Sequence, residues 1–193
     1  MTHPTIAGLQ IAVAESLASV PTSTADEIYA LSFFIYNEAD DPRLPTLTVG
    51  YNTVDQWRAS IPKASSSDEA KWNYAFWLQN ELLVFGGSDS PTTAAVGRWV
   101  ADLGLGYSDE EEDADFERCL ELGQELTERF VAAVCDIAST LHSDSTVTRA
   151  LGRPVPIIVH ELEYYDEIAD QTEACNPPGL AEEFVSWVRS GCR

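Results

Sequence analysis

Residues Glu27–Glu38 read EIYALSFFIYNE, and the conformation of that stretch decides the fold. From Ile28 to Tyr36 the only polar interruption is Ser32. Strand alternation sends Tyr29, Leu31, Phe33 and Ile35 to one side and Ile28, Ala30, Phe34 and Tyr36 to the other. Both sides are apolar, and β-branched and aromatic residues dominate. This predicts a strand buried on both faces. Downstream of a polar loop, EADDPRLP, residues 46–52 read TLTVGYN. Leu47, Val49 and Tyr51 share one face; Thr46, Thr48, Gly50 and Asn52 share the other. That pattern predicts a half-buried strand, the antiparallel partner of the first. A further strand is expected in VPIIVHELEYY, residues 155–165.

Helices are expected around these strands. Ile6, Leu9, Ile11, Val13 and Leu17 make an imperfect helical stripe. TVDQWRASIP predicts a short helix ending near Pro62. Asp68 is placed to cap a helix through EAKWNYAFWLQN, residues 69–80, which would set Trp72 against Phe76 at i,i+4. ELLVFGG fits either the end of that helix or a short strand. Residues 90–106 predict a helix stopped at Gly104 or Gly106. The longest helix is expected near residues 110–141, where Phe116, Cys119, Leu120, Leu126, Phe130, Val134, Ile137 and Leu141 recur at three and four residues. After an irregular acidic segment, LAEEFVSWVRSG closes the chain with a helix. Strands and helices are interspersed without regular β-α-β alternation. The class predicted is α+β: a small, mostly antiparallel sheet packed with several helices. Neither linker nor internal repeat divides it, so a single domain over 1–193 is expected.

The charge is one-sided. The chain has 193 residues, 11 basic and 32 acidic, a formal net charge of -21. Polyanions and anionic membranes would be repelled, which argues against direct nucleic-acid or membrane binding; a basic protein would be attracted. Solubility alone is the plain alternative. The acidic residues concentrate in SDEEEDADFE, where seven of the nine residues from Asp109 to Glu117 are acidic. Ser108 with Glu111 fits a capping box, and acids in a first helical turn favour its dipole. Two or three acids suffice for that role. The surplus makes Asp109, Glu110, Glu111, Glu112, Asp113 and Asp115 candidate partner-binding residues. Calcium binding is a weaker alternative, because the run lacks the alternate ligand spacing and turn glycine of an EF-hand loop.

Catalytic signals are sparse. The sequence has no G-x-S-x-G, no H-E-x-x-H and no phosphate loop, and it implies no cofactor or metal. His160 and Glu161 are adjacent, but side chains next to one another on a strand face opposite ways, so His160 would sit with Leu162 and away from Glu161. A structural or edge histidine is the better reading. His3 lies near a terminus expected to be loose, and His142 just past the long helix. Trp72, Tyr74, Phe76, Trp77 and Trp99 suit a core, or else a pocket between the 72–77 segment and the sheet. Cys119 and Cys135, sixteen residues apart on one predicted helix, would be about 24 Å apart. Cys175 and Cys192 are the pairing left open. The opening residues lack a basic leader and carry Glu15 within their apolar part. A cytoplasmic chain with free thiols is therefore expected.

The stretches DEIYALSFFIYNEADDPRLPTLTVGYNT, SDEAKWNYAFWLQN and VPIIVHELEYYDE, followed by a terminal helix, resemble uncharacterised bacterial domains of unknown function, loosely akin to predicted immunity proteins of toxin systems. The resemblance covers about two thirds of the chain and carries no catalytic residues. It implies a non-enzymatic interaction protein that binds and blocks a basic toxin. A small-ligand-binding or enzymatic domain is the alternative, and a homodimer with a covered apolar face a third reading.

Overall fold

The computed structural model describes residues 2–88 and 90–192; the two ends of the span read as one domain, 1 and 193, lie outside them. Its elements in chain order are α1 (Pro4–Ala18), α2 (Thr22–Ala25), β1 (Ile28–Asn37), β2 (Pro45–Thr53), α3 (Val54–Ser60), α4 (Ser67–Trp72), β3 (Leu83–Phe85), α5 (Thr93–Leu103), α6 (Asp109–Ala114), α7 (Phe116–Ser143), α8 (Thr146–Leu151), β4 (Ile157–His160), α9 (Asp166–Cys175) and α10 (Glu182–Arg189). The fold is α+β. The four strands lie in the order β3-β2-β1-β4, and β4 alone runs parallel to its neighbour β1.

β1 is the central strand that its composition predicts, but its second face opens at the far end, where Phe34 is half-buried and Tyr36 exposed. Leu31, Phe33 and Ile35 join Leu47, Val49, Ile157 and Val159 in the larger core, which α1, α5, α7 and α8 cover. Ala30 and Ile158 face a second core of Trp72, Trp77, Phe184, Trp187 and Val188. Burying both faces removes most of the sheet's apolar area from water, at about 25 cal/mol per Å². One detail departs from simple alternation. The β1–β2 register shifts between Ile28 and Ala30, so Ile28 joins the larger core while Tyr29 turns to the second. A bulge of this kind moves every residue before it to the opposite face.

Several expectations are corrected. β2 is buried on both faces: Thr46, Thr48 and Asn52 are as enclosed as Leu47 and Val49. At Asn52 the 67–80 segment covers that face: Asn52 bonds Tyr29 and the Leu78 amide. That segment is not one helix. Ser66, not Asp68, caps α4, which ends at Trp72; a 3₁₀ turn, Tyr74–Phe76, follows. Asn73 breaks the helix because its side chain caps the 3₁₀ turn through the Ala75 amide. Residues 83–85 resolve as strand. β4 stops at His160, well short of Tyr165, and the acidic segment beyond it forms α9. His3 is anchored: its Nδ1 accepts from Thr5 N at 3.2 Å and its Nε2 meets Asp102 at 2.9 Å.

Two asparagine side chains act as strand surrogates. On β2, past the end of the short β3, Tyr51 N donates to Asn80 Oδ1 at 3.0 Å, and Asn80 Nδ2 donates to Tyr51 O at 2.9 Å. A Cβ on Gly50 would lie 2.5 Å from the Asn80 carbonyl oxygen, so only glycine permits that approach. At the sheet edge formed by β4, Ile157 N donates to Asn176 Oδ1 at 2.9 Å, and Asn176 Nδ2 donates to Ile157 O at 2.7 Å. Gln171 and Thr172 of α9 both donate to Val159 O. An edge satisfied in this way offers no template to a foreign strand.

Candidate functional site

The acidic run is split between two helices. Ser108 and Glu111 form the predicted capping box: Ser108 Oγ accepts from Glu111 N at 3.2 Å, and Glu111 Oε2 accepts from Ser108 N at 2.9 Å. α6 ends after one and a half turns, at Asp115, whose φ of -150° is not helical. Asp115 then caps α7 by accepting from Arg118 N at 3.2 Å. A single N-terminus would leave most of these acids unexplained. Two N-termini in succession employ more of them, since each presents unbonded amides and a positive dipole end.

Asp109 is ion-paired from outside the run, by an arginine it shares with Asp41. Arg43, in the loop between β1 and β2, donates to Asp109 Oδ1 at 2.7 Å and to Tyr107 O at 3.3 Å. Its other nitrogens hold Asp41, at 2.8 Å from Nη2, and its guanidinium lies 4.9 Å from the Tyr107 ring centre. The Asp41 carboxyl is held below its usual range by Arg43, while the Arg43 guanidinium is pushed upward by its two carboxylates. This clasp fixes α6 to the strand loop. Arg43→Ala is expected to cost about 1 kcal/mol of stability, the pair being partly solvent-screened. Hydrogen exchange should then accelerate at the α6 amides before any other region.

Of the six candidate residues, Asp109, Glu111 and Asp115 therefore have internal partners. Glu110, Glu112 and Asp113 have no side-chain partner among the described residues. Beside them stands an apolar pair that the periodicity assigns to the core. Phe116 is 62% exposed and Leu120 60% exposed. They lie at i,i+4, on one face of α7. The buried stripe of α7 runs instead through Cys119, Gly123, Leu126, Phe130, Val134 and Leu141. Leu120 is one residue, about 100°, round from Cys119, and Phe116 is the first residue of the helix, where the core no longer reaches it. The signal was present in the sequence: the stripe drawn through Cys119 and Leu126 leaves Leu120 to one side. An exposed aromatic–aliphatic pair a few residues along the chain from unpaired carboxylates has the composition of a docking surface.

Two other arrangements have chemical character. Ser32 Oγ lies 2.8 Å from His160 Nε2, and His160 Nδ1 lies 2.8 Å from the Glu161 carbonyl oxygen. The carbonyl can only accept, so Nδ1 carries the proton and Nε2 accepts from the Ser32 hydroxyl. This is the hydrogen-bond order of a serine–histidine dyad, but both residues are buried. Phe34, Tyr74, Trp77 and Tyr164 enclose the ring, with centroids 4.9 to 5.8 Å away. The dyad pins β4 to β1 inside the core, and His160 shares no face with Leu162, which is exposed. The second arrangement is a cavity of about 870 Å³ outside the second core, between α4 and α10, rather than between the 72–77 segment and the sheet. Lys71 fills its aromatic wall: Nζ lies 4.8 Å from the Trp72 ring, 5.0 Å from Trp57 and 5.8 Å from Tyr29. It is also ion-paired with Glu183, so the chain itself supplies a cation to these rings.

Among the described residues, no helix is long and apolar enough to cross a membrane, and no three His, Cys, Asp or Glu side chains are grouped to hold a metal ion. No family model, curated protein or solved structure matches the chain.

Proposed function

We propose that the chain is a non-enzymatic protein-interaction domain whose docking surface is the α6–α7 ridge. The observation that carries this reading is the solvent-exposed Phe116–Leu120 pair beside Glu110, Glu112 and Asp113. The apolar pair supplies contact area; the carboxylates and the net charge of -21 favour a basic partner and speed its arrival. A second copy of the chain is disfavoured as occupant, because a two-fold contact there would bring like carboxylates together. In its most concrete form the proposal is an immunity-type protein that covers a basic toxin, a nuclease for example. The cytoplasm is where such a protein would act.

The test is to purify the basic proteins encoded by the neighbouring genes and measure their binding to this chain by surface kinetics. Raising salt from about 50 to about 500 mM should slow association roughly tenfold or more while dissociation changes little. Phe116→Ser with Leu120→Ser should weaken affinity by about 2 to 4 kcal/mol and leave stability within about 0.5 kcal/mol. Affinity untouched by that double substitution, or by lysines at 110, 112 and 113, would remove the ridge from consideration.

A further inference from the structure

A second stripe of α7 lies beside its buried one. Phe116, Leu120, Gln124, Thr127, Val131 and Cys135 recur at three and four residues and so share one face of the helix. The first two project into solvent. The other four line a cavity of about 770 Å³ between α7 and α9. From the α9 side it is lined by Glu167, Ile168, Gln171 and Ala174, which also share a helix face. At one end the helices are tied together, because Ser139 Oγ donates to Cys175 O at 3.4 Å. In the other direction the α7 stripe runs out to Leu120 and Phe116. The cavity and the exposed apolar pair are therefore parts of one continuous helix face.

The cavity is an open groove: Ala132 and Ala174 on its walls are exposed, as are Glu128, Asp136 and Glu167. Val131, Ala132, Ile168 and Ala174 give it apolar walls. Tyr165, 44% exposed, also lines it, with its hydroxyl donating to Glu161 Oε2 at 3.1 Å. Its charged side chains are Glu128, Asp136, Glu161 and Glu167, and no basic residue lines it among the described residues. Arginines on the flanking helices are already committed. Arg129, next to Glu128, is paired with Glu125 at 3.1 Å, and Arg189 of α10 holds Asp170 and Glu173 of α9 at 2.7 and 2.8 Å. An occupant that matches the groove is apolar along its middle and cationic at its margins. The lined length of α7, from Gln124 to Ser139, is about 22 Å, or about four helical turns. That length, prolonged by Leu120 and Phe116, exceeds what a small cation would cover.

We propose, resting on the reading of the α6–α7 ridge as a protein-docking surface, that the α7–α9 groove receives a basic amphipathic helix of the partner. The apolar stripe of that helix lies along Val131, Ile168 and Ala174 and continues onto Leu120 and Phe116. Its lysines and arginines flank the stripe and face Glu128, Asp136, Glu161 and Glu167. A helix suits the groove because it satisfies its own backbone and needs only an apolar seam and matching charge. A strand would find no ladder there, since the β4 edge is already bonded by Asn176, Gln171 and Thr172.

The experiment titrates the full chain into a dye-labelled designed peptide of about 18 residues, roughly 27 Å long as a helix, with leucine and lysine placed to give one apolar stripe. Two controls accompany it: the same residues shuffled so that no stripe forms, and a leucine–glutamate counterpart of the first. By fluorescence anisotropy the striped basic peptide should bind roughly tenfold or more tightly than the shuffled one, and the acidic peptide should not bind. Ala132→Arg with Ala174→Arg, both at exposed positions, should weaken the striped peptide roughly tenfold or more at an unchanged urea midpoint. On the unaltered chain, hydrogen exchange with the peptide bound should slow within residues 124–139 and 161–175, a readout that needs no variant to fold. Equal affinity for the striped and shuffled peptides, protection elsewhere, or indifference to Ala132→Arg with Ala174→Arg would overturn the proposal. Phe116→Ser with Leu120→Ser, tested against the basic proteins encoded nearby, separates the two readings. Loss of their binding in that variant, with none in the Ala132→Arg, Ala174→Arg variant, leaves the ridge standing and overturns the groove. The reverse pattern supports the groove and removes the ridge.

Discussion

Replacing Asn176 with alanine is expected to lower the unfolding free energy by about 3 kcal/mol, read as a lower urea midpoint at constant m-value. The Asn176 amide serves three elements at once. Its Oδ1 accepts from Ile157 N at 2.9 Å and lies 3.0 Å from His142 Nε2 on the last turn of α7. Its Nδ2 donates at 2.7 Å both to Ile157 O on β4 and to Thr172 O on α9. The partners settle which end is oxygen, because carbonyls only accept and a backbone amide only donates. Alanine would leave the Ile157 amide and carbonyl buried at the sheet edge with no replacement. That is the costly kind of hydrogen-bond loss, about 1 to 3 kcal/mol for each orphaned group before relaxation. Asn176→Asp keeps the shape and removes the donors, and it sets a carboxylate against two carbonyl oxygens. It should be at least as damaging near neutral pH and recover in part on acidification, when a protonated carboxyl can donate again. An alanine variant within about 0.5 kcal/mol of the unaltered chain would mean that water replaces the amide and the surrogate role is wrong.

Acidification should destabilise the fold through His160. Burial lowers its pKa to about 4, while in the unfolded chain the ring titrates near its ordinary value of about 6.5. Below about 6.5 the unfolded state takes up a proton that the folded state refuses. The stabilisation is thus complete above that value and lost as pH falls toward about 4. Between about pH 7 and about pH 4.5 the loss attributable to this ring is roughly 2.5 kcal/mol, at about 1.36 kcal/mol for each pH unit. The structural cause is explicit: Nε2 accepts from Ser32, Nδ1–H is committed to the Glu161 carbonyl, and four aromatic rings enclose the remainder. His142 is lowered too, by burial, and adds a contribution of the same sign. Carboxylate protonation relieves repulsion at the acidic end and acts in the opposite direction. Comparison with His160→Gln, neutral throughout, isolates the ring. The variant should be less stable near pH 7, and its loss between the two pH values should be smaller by roughly 2.5 kcal/mol. Parallel pH profiles for the two chains would show that the buried ring is not neutral.

Where neighbouring residues in the chain decide the outcome, the sequence reading matches the structure. The Ser108–Glu111 capping box, the Gly104 stop of α5 and the long periodicity of α7 rest on bonds and faces within a few residues of each other. The errors share a different cause. Asn73 ends α4 because a turn with a local cap competes successfully with helix propensity. Asn52, Thr46 and Thr48 look solvent-facing in a strict alternation, yet all three are buried, Asn52 beneath the segment that carries Leu78. Phe116 and Leu120 satisfy the helical period and still project into solvent, because the core ends before it reaches them.

The sequence by itself determined the α+β class, a central strand apolar on both faces, the dominant helix and a strongly negative net charge. Each follows from composition or from a period along one element. The tertiary structure alone decided that β4 runs parallel beside β1, that asparagine side chains bond the β4 edge and the end of β2, that Arg43 reaches across to pair with Asp109, and that Ser32 meets His160. All four depend on which distant segments become neighbours, and side-chain periodicity records only which face of an element is apolar, never what that face will meet.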